Sequence, residues 1–371
     1  MKIGILTLPL VDNYGGILQN YALQQTIKSL GHEPITIRSL NKHFLYRYWP
    51  LITTKIIIAK LLGRNSHFPE LPFVAKRKHK ETQRFVHDMI ESTHERYVYM
   101  PKDIVGKHKL DAIVVGSDQV WRPMYNELII NMFLSFCTDD KIHRVAYAAS
   151  FGVDCWEYSK SQTKKCRELI KLFDGISVRE ASGIALCKKH LGCNAIEVLD
   201  PTLLLTCDKY SSICEGVVPA TSKYLAAYVL DMNDEKRKVI EAIASKERLP
   251  IKWFHTDKSC VLSVEEWIAS FRDAAFVVTD SFHGTVFSII FNHDFYSIVN
   301  ENRGASRFYS LLLKFGLMER VIASRDVSKI KSGEIDWNSV NKIWAQQRKE
   351  SIESVSYTHP PSPRDTERSR M

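Results

Sequence analysis

No run in this 371-residue sequence approaches the roughly 18 uncharged apolar residues that a membrane-spanning helix requires. The opening apolar stretch, Lys2 to Leu10, is short and breaks at Asp12-Asn13-Tyr14-Gly15-Gly16. No small-residue cleavage site follows, so it reads as a buried first strand rather than a secretion signal. The chain is accordingly expected in the cytoplasm. The eight cysteines (Cys137, Cys155, Cys166, Cys187, Cys193, Cys207, Cys214 and Cys260) contain no CxxC pair, which argues against structural zinc and for reduced thiols. A GxGxxG dinucleotide fingerprint is missing, as are a recognition-helix pattern and an RNP-like aromatic strand for nucleic acid. No metal, no cofactor and no nucleic-acid partner are expected.

What is present is the composition of a soluble globular protein, 45% hydrophobic and 25% charged residues. The length suits two α/β domains better than one core. The net charge of +9 is uneven. Residues Asn41–Leu110 hold fourteen Lys or Arg against six Asp or Glu, a local +8, including Lys76-Arg77-Lys78-His79-Lys80 and the amphipathic run Phe44–Leu62. Two readings fit such a basic insert: a solvated helical face, or a surface that docks on anionic lipid headgroups. The second places the protein at the inner face of the membrane.

Strand and helix patterns alternate along the chain. Lys2–Leu8 predicts a strand and Val11–Gly16 a loop. Apolar Leu18, Ala22, Leu23, Ile27 and Leu30 then mark a helix that Gly31 ends before a strand at Pro34–Arg38. This βαβ unit implies a parallel sheet. Further strands are expected at Ala112–Val115, Arg144–Ala148 and Gly175–Val178, with helices at Ala75–Glu91, Ser159–Phe173 and Ala181–His190. Val198–Leu205 and the polar Cys207–Ser212 read as a connector. A second set follows, with strands at Tyr224–Val229, Ile251–Phe254, Phe276–Thr279 and Phe295–Ile298. Its helices are expected at Asp234–Lys246, Val264–Arg272, Gly284–Phe291 and Arg307–Phe315. The expected fold is α/β, with two Rossmann-like doubly wound domains (residues 1–200 and 201–353) facing a cleft. Ligands in such sheets sit outside the carboxyl ends of the strands. From Ser354 the Pro-, Ser- and Arg-rich tail loses periodicity and is expected to be disordered.

The chemistry concentrates at strand ends. After Phe276–Thr279 come Asp280, Ser281, Phe282, His283, Gly284 and Thr285, where Gly284 lets the chain turn closely into a helix. That turn presents backbone N–H groups and the positive helix end as an anion site. His283 can face the same anion and titrate near neutral pH. In the plainer reading Ser281 only caps the helix and His283 is a satisfied loop residue. Arg179, after Gly175–Val178, suits a phosphate or carboxylate, or pairs with Glu180. Arg303 and Arg307 flank Gly304-Ala305-Ser306, where they can close over a ligand or pair with Glu301. Near the amino terminus, Asn13, Tyr14, Gly15 and Gln19 suit sugar hydroxyls. Asp118, within Gly116-Ser117-Asp118-Gln119-Val120-Trp121, can accept from such hydroxyls or act as a base. Trp121 can stack on a pyranose or pack in the core.

Taken together, several motifs resemble the polysaccharide pyruvyl transferase family over residues 1 to 325. They are Asn13-Tyr14-Gly15-Gly16 with Leu18–Gln24, Gly116–Trp121, Tyr147–Gly152, Ser177–Glu180, Asp200-Pro201-Thr202 and Asp280–Gly284. The resemblance implies a GT-B-like fold and transfer of a pyruvyl group from phosphoenolpyruvate onto two hydroxyls of one sugar, making a cyclic ketal. The acceptor would be a surface or exopolysaccharide precursor, lipid-linked forms included. It further implies His283 as the acid, Asp118 as the base, and Arg179, Ser281, Gly284, Thr285, Arg303 and Arg307 around the donor. Asn13, Tyr14, Gly15, Gln19 and Trp121 would then meet the acceptor. One departure stands out: Phe282 occupies the place before the histidine where several family members carry arginine. Two rival readings remain at this stage. One is a GT-B glycosyltransferase using a nucleotide sugar, with Glu301 as the ribose carboxylate. The other is a non-catalytic scaffold in polysaccharide assembly whose working surface is the basic insert.

Overall fold

Strands β1 (Lys2–Leu6), β2 (Glu33–Ile37), β3 (Ala112–Val115), β4 (His143–Ala149), β5 (Gly175–Val178) and β6 (Ile196–Glu197) build the first sheet in the order β2-β1-β3-β4-β5-β6. Strands β7 (Leu225–Val229), β8 (Ile251–His255), β9 (Phe276–Thr279), β10 (Asp294–Ile298) and β11 (Val321–Ile322) build the second, in the order β11-β10-β9-β7-β8. Every pairing is parallel. β3 and β7 are buried at every position, as strands covered on both faces must be. These are two parallel-sheet α/β domains, as expected from the sequence. The computed structural model describes residues 1–40, 53–54, 56–58, 79–255, 262–299, 304–322 and 333–356. Most of the basic insert therefore lies outside the described residues, as do Cys260, Glu301, Arg303 and the tail from residue 357.

The strand orders decide where a ligand can sit. In the first sheet the order reverses between β1 and β3, and in the second between β7 and β9. The segments leaving these strands at their carboxyl ends carry Asn13 and Asp118 on one side and, on the other, Asp280 and Ser281 followed by the helix that bears His283. Crevices at such reversal points are where open α/β sheets bind ligands.

The helices described in full are α1 (Tyr14–Ser29), α2 (Lys80–Met89), α3 (Ile104–His108), α4 (Lys160–Leu169), α5 (Ala181–Leu186), α6 (Cys207–Ile213), α7 (Asp234–Glu247), α8 (Val264–Arg272), α9 (Phe282–Ile290), α10 (Ala305–Lys314) and α11 (Trp337–Ser356). Three boundaries correct the sequence reading. Polar Cys207–Ser212 is helical, not connector, because Tyr210 drops fully into the core and its hydroxyl donates to Thr202 O at 2.8 Å. α9 starts at Phe282, which puts His283 in its first turn rather than in a loop. α11 runs through Ser354 to Ser356, where an unstructured tail was expected, because Val355 packs into the core. That helix returns from the second domain to the linker between the sheets. Trp344 Nε1 donates to Leu203 O at 2.7 Å, and Ser351 Oγ accepts from Leu199 N at 3.0 Å.

The two domains touch through specific contacts. Tyr14 stacks on Trp267 with centroids 5.5 Å apart, and its hydroxyl donates to Leu262 O at 2.6 Å. Arg84 Nη2 reaches both carboxylate oxygens of Glu265 at 2.9 Å. Ala181 N donates to Ser310 Oγ at 2.9 Å.

Candidate functional site

Arg179 stands at the centre of the cleft, almost fully buried where β5 ends. Its Nη1 donates to Asp200 Oδ2 at 2.8 Å, while Asp118 Oδ1 and Glu180 Oε2 each lie 4.0 Å from other nitrogens of the guanidinium. Burial works to lower the pKa of Arg179, but the carboxylates of Asp200, Glu180 and Asp118 outweigh it and hold the side chain firmly charged. Asp200 is held below the ordinary carboxylate range: burial opposes ionisation, yet His283, Arg179 and the Thr202 hydrogen bond together prevail. Two Arg179 donors, Nε and Nη2, are buried and have no hydrogen-bond partner. Such donors are costly to leave unmet.

The neighbours of Arg179 come from both domains. Glu180 is fixed by Ser150 Oγ, Phe151 N and Gly152 N, which donate to Oε1 at 3.0, 2.8 and 3.2 Å. An irregularity in β4 bends the chain toward it. The register shifts between Ala146 and Ala149, and Ala148 N donates to Ser177 Oγ, which donates to Ala146 O. Asp118 adopts φ +70°, the left-handed region that Asp tolerates better than most residues. Asn13 Nδ2 and Gln119 N donate to its two oxygens at 3.2 and 2.8 Å. Gln19 Nε2 donates to Asp200 Oδ2, leaving Gln19 Oε1 buried without a partner.

From the second domain come Phe282, His283 and Arg307. The guanidinium groups of Arg179 and Arg307 lie 4.8 and 5.4 Å from the Phe282 ring centroid. The ring's negative face thus supports two cations that repel each other. Burial first, and then Arg179, push Arg307 down to about 10. His283 Nε2 is buried, has no hydrogen-bond partner and lies 3.8 Å from Asp200 Oδ2. Burial pushes its pKa down to about 4, so the imidazole is neutral at pH 7 rather than titrating near neutrality as the sequence implied. Across the cleft His283 packs on Gly15, where an added Cβ would lie 1.9 Å from its Nδ1. Gly15→Ala is therefore expected to displace the imidazole and cut turnover by about 100-fold. The check is a kcat measurement beside a thermal melt that stays cooperative.

The structure thus gathers Asn13, Gly15, Gln19, Asp118, Arg179, His283 and Arg307 around one centre. The other described residues assigned there from the sequence are held in packing or capping contacts. Trp121 is fully buried, stacked 5.1 Å from Phe133, with Nε1 donating to Met132 O at 3.1 Å, so no ring face is open to a sugar. Tyr14 is spent on Trp267 and Leu262. Ser281 caps α9 by accepting from Gly284 N, and Thr285 Oγ1 bonds Ser297 Oγ at 2.6 Å. Gly284 faces β9, since a Cβ there would lie 2.2 Å from Thr279 Oγ1, and so serves helix–strand packing. Asp280 is a clamp that accepts from Leu230 N, Asp231 N and Lys236 Nζ at 2.6, 3.1 and 2.6 Å. Asp200 and Glu180 were missed as site residues. A charged residue inside the apolar run Val198–Leu205 was the available signal for Asp200.

Among the described residues no group of three or more His, Cys, Asp or Glu is placed to hold a metal ion, and no helix is long and apolar enough to cross a membrane. No curated protein matches the chain. Solved structures align over most of its length at low identity. UDP-GlcNAc 2-epimerase from Methanocaldococcus jannaschii is 12% identical with a TM-score of 0.47, covering 89% of this chain and 90% of that one. SsfS6, a glycosyltransferase from Streptomyces sp. SF2575, is 11% identical with a TM-score of 0.42, covering 96% and 99%. A sequence profile of the family described as polysaccharide pyruvyl transferase matches residues 13–302, a span that contains Asn13, Asp118, Arg179, Asp200 and His283. The chain belongs to the polysaccharide pyruvyl transferase family.

Proposed function

We propose that this transferase takes its pyruvyl group from phosphoenolpyruvate and sets it as a cyclic ketal on two hydroxyls of one sugar in a polysaccharide precursor, with no cofactor. The observation that carries this reading is the pair of unmet Arg179 donors, buried between the two sheet reversal points beside Arg307 and the unpartnered His283 Nε2. A planar guanidinium with an unsatisfied edge suits a carboxylate or phosphate. Phe282 in place of arginine does not remove positive charge from this spot, because Arg307 supplies it over the same ring.

Each residue has a part in the reaction. Protonated His283 delivers a proton to the methylene carbon of the donor, which becomes the ketal methyl group. Positive character develops on the adjacent carbon, a sugar hydroxyl adds there, and Asp118 takes the hydroxyl proton. Phosphate then leaves with its bridging oxygen, and the second hydroxyl closes the ring as its proton passes to the now neutral His283. Arg179 and Arg307 hold the donor's anionic groups throughout. Since His283 is neutral in the unliganded centre, the donor must bring it its proton's stabilisation. Two guanidiniums face three carboxylates there, Asp118, Glu180 and Asp200, so an arriving anion favours protonation of the imidazole.

A thermal-shift titration tests the donor. A ligand that binds only the native state raises Tm by mass action, about 2.7 kcal/mol of stabilisation at 100 times Kd. Phosphoenolpyruvate is expected to raise Tm in the parent chain. A rise with nucleotide sugars and none with phosphoenolpyruvate would refute the assignment.

A further inference from the structure

A groove of about 650 Å³ runs along α10, walled by both domains. Asp154, Ser182 and Glu197 line it from the first domain, and Ser306, Tyr309, Leu313 and Lys314 from the second. Its walls are chain neighbours of the reaction centre: Ser182 follows Arg179 and Glu180, while Ser306 directly precedes Arg307. The two surfaces differ in chemistry. No arginine lines the groove, and its one lysine is matched by Glu197, whose carboxylate lies 3.4 Å from Lys314 Nζ across the domains. An anionic donor has nothing to bind there. The lining is mixed: its surface is mostly apolar, but the hydroxyls of Ser182 and Ser306 are buried without hydrogen-bond partners and Asp154 adds a carboxylate. Beside these polar groups stand Tyr309, 36% exposed, and Leu313, 71% exposed, one helical turn apart on α10.

We infer that this groove binds the glycan portion of the acceptor beyond the sugar that receives the pyruvyl group, a neutral oligosaccharide of two or more units. Hydroxyls, a carboxylate and small side chains for close approach, next to an aromatic and an aliphatic face, are the complement of a pyranose chain. The inference rests on the pyruvyl-transfer reading for the identity of the acceptor, but the groove itself is probed without any donor.

The test is binding of fluorescently labelled chain to an array of neutral oligosaccharides, from monosaccharides to hexasaccharides. The parent, Tyr309→Ala and Leu313→Trp are compared, the last filling the groove from an exposed position. Cooperative melting of each variant controls for folding. The parent is expected to bind longer glycans more tightly than their terminal monosaccharide, and each variant to lose about tenfold of that preference, the scale of one stacking contact. No glycan binding by the parent, or length preference unchanged in both variants, overturns the inference. Should glycan binding depend on Tyr309 while phosphoenolpyruvate neither raises Tm nor releases phosphate, the groove stands and the donor assignment falls.

Discussion

Arg179→Ala is expected to destabilise the protein by about 3–5 kcal/mol and to abolish the rise in Tm with phosphoenolpyruvate. The reason is that Arg179 is the hub of a buried charge network. It donates to Asp200 at 2.8 Å and lies 4.0 Å from both Asp118 and Glu180. Truncation leaves buried carboxylates without their counter-ion, which costs far more than losing the attraction itself. Arg179→Lys separates the two roles. A lysine ammonium restores charge near Asp200, so most of the stability should return. It lacks the planar fork, so the donor should still bind poorly. Urea denaturation of the three proteins, with and without phosphoenolpyruvate, reads both effects. A stable Arg179→Ala chain that still responds to the donor would remove Arg179 from the centre of the site.

His283→Gln is expected to lower kcat by about 100- to 10,000-fold, the range for removing a general acid. It should also change two pH dependences. In the unliganded protein His283 is buried at a pKa of about 4, below its ordinary value of 6.5. Between those values the unfolded chain binds a proton that the folded chain refuses, so stability rises with pH across this window and is lost as pH falls through it. The glutamine variant removes that contribution, and its stability should vary less between pH 6.5 and 4. Under the proposed reading the liganded state is expected to reverse the effect. Donor charge beside the imidazole should raise its pKa, so binding near neutral pH should take up a proton in the parent and less in the variant. Calorimetry in buffers of different ionisation enthalpy measures that uptake. Equal uptake in both proteins would assign the acid elsewhere.

How legible this was differed from residue to residue. The motif Asp280–Gly284 announced itself through an apolar strand followed by Asp, Ser, His and Gly, yet its members divide into separate jobs. Asp280 ties β9 to the loop after β7, Ser281 caps, Gly284 permits close packing, and only Phe282 and His283 face the centre. Spacing ranks such neighbours alike, because direction is set by which strand lies beneath each helix. Trp121 shows the reverse error. An aromatic residue beside a loop aspartate invites a stacking role, but Phe133 and Met132, distant in the pattern, close over it.

Asp200 makes the same point about partners. In the sequence it is a polar break in a short apolar connector. In three dimensions that connector passes beneath α1 and beside α9, so one carboxylate meets Gln19, Arg179 and His283 at once. The pairing spans up to 181 residues of sequence. Periodicity cannot encode such a separation.

The sequence by itself determined the two parallel sheets, because buried strands of four or five apolar residues alternating with amphipathic helices have few other ways to hide from water. It also determined which loops carry chemistry, since the polar residues and glycines that interrupt that pattern fall at strand ends. The tertiary structure alone decided which side chains converge, how Phe282 came to carry two guanidiniums, and why His283 waits uncharged. Those outcomes depend on burial and on charges brought together from remote segments, and neither exists until the domains have closed on each other.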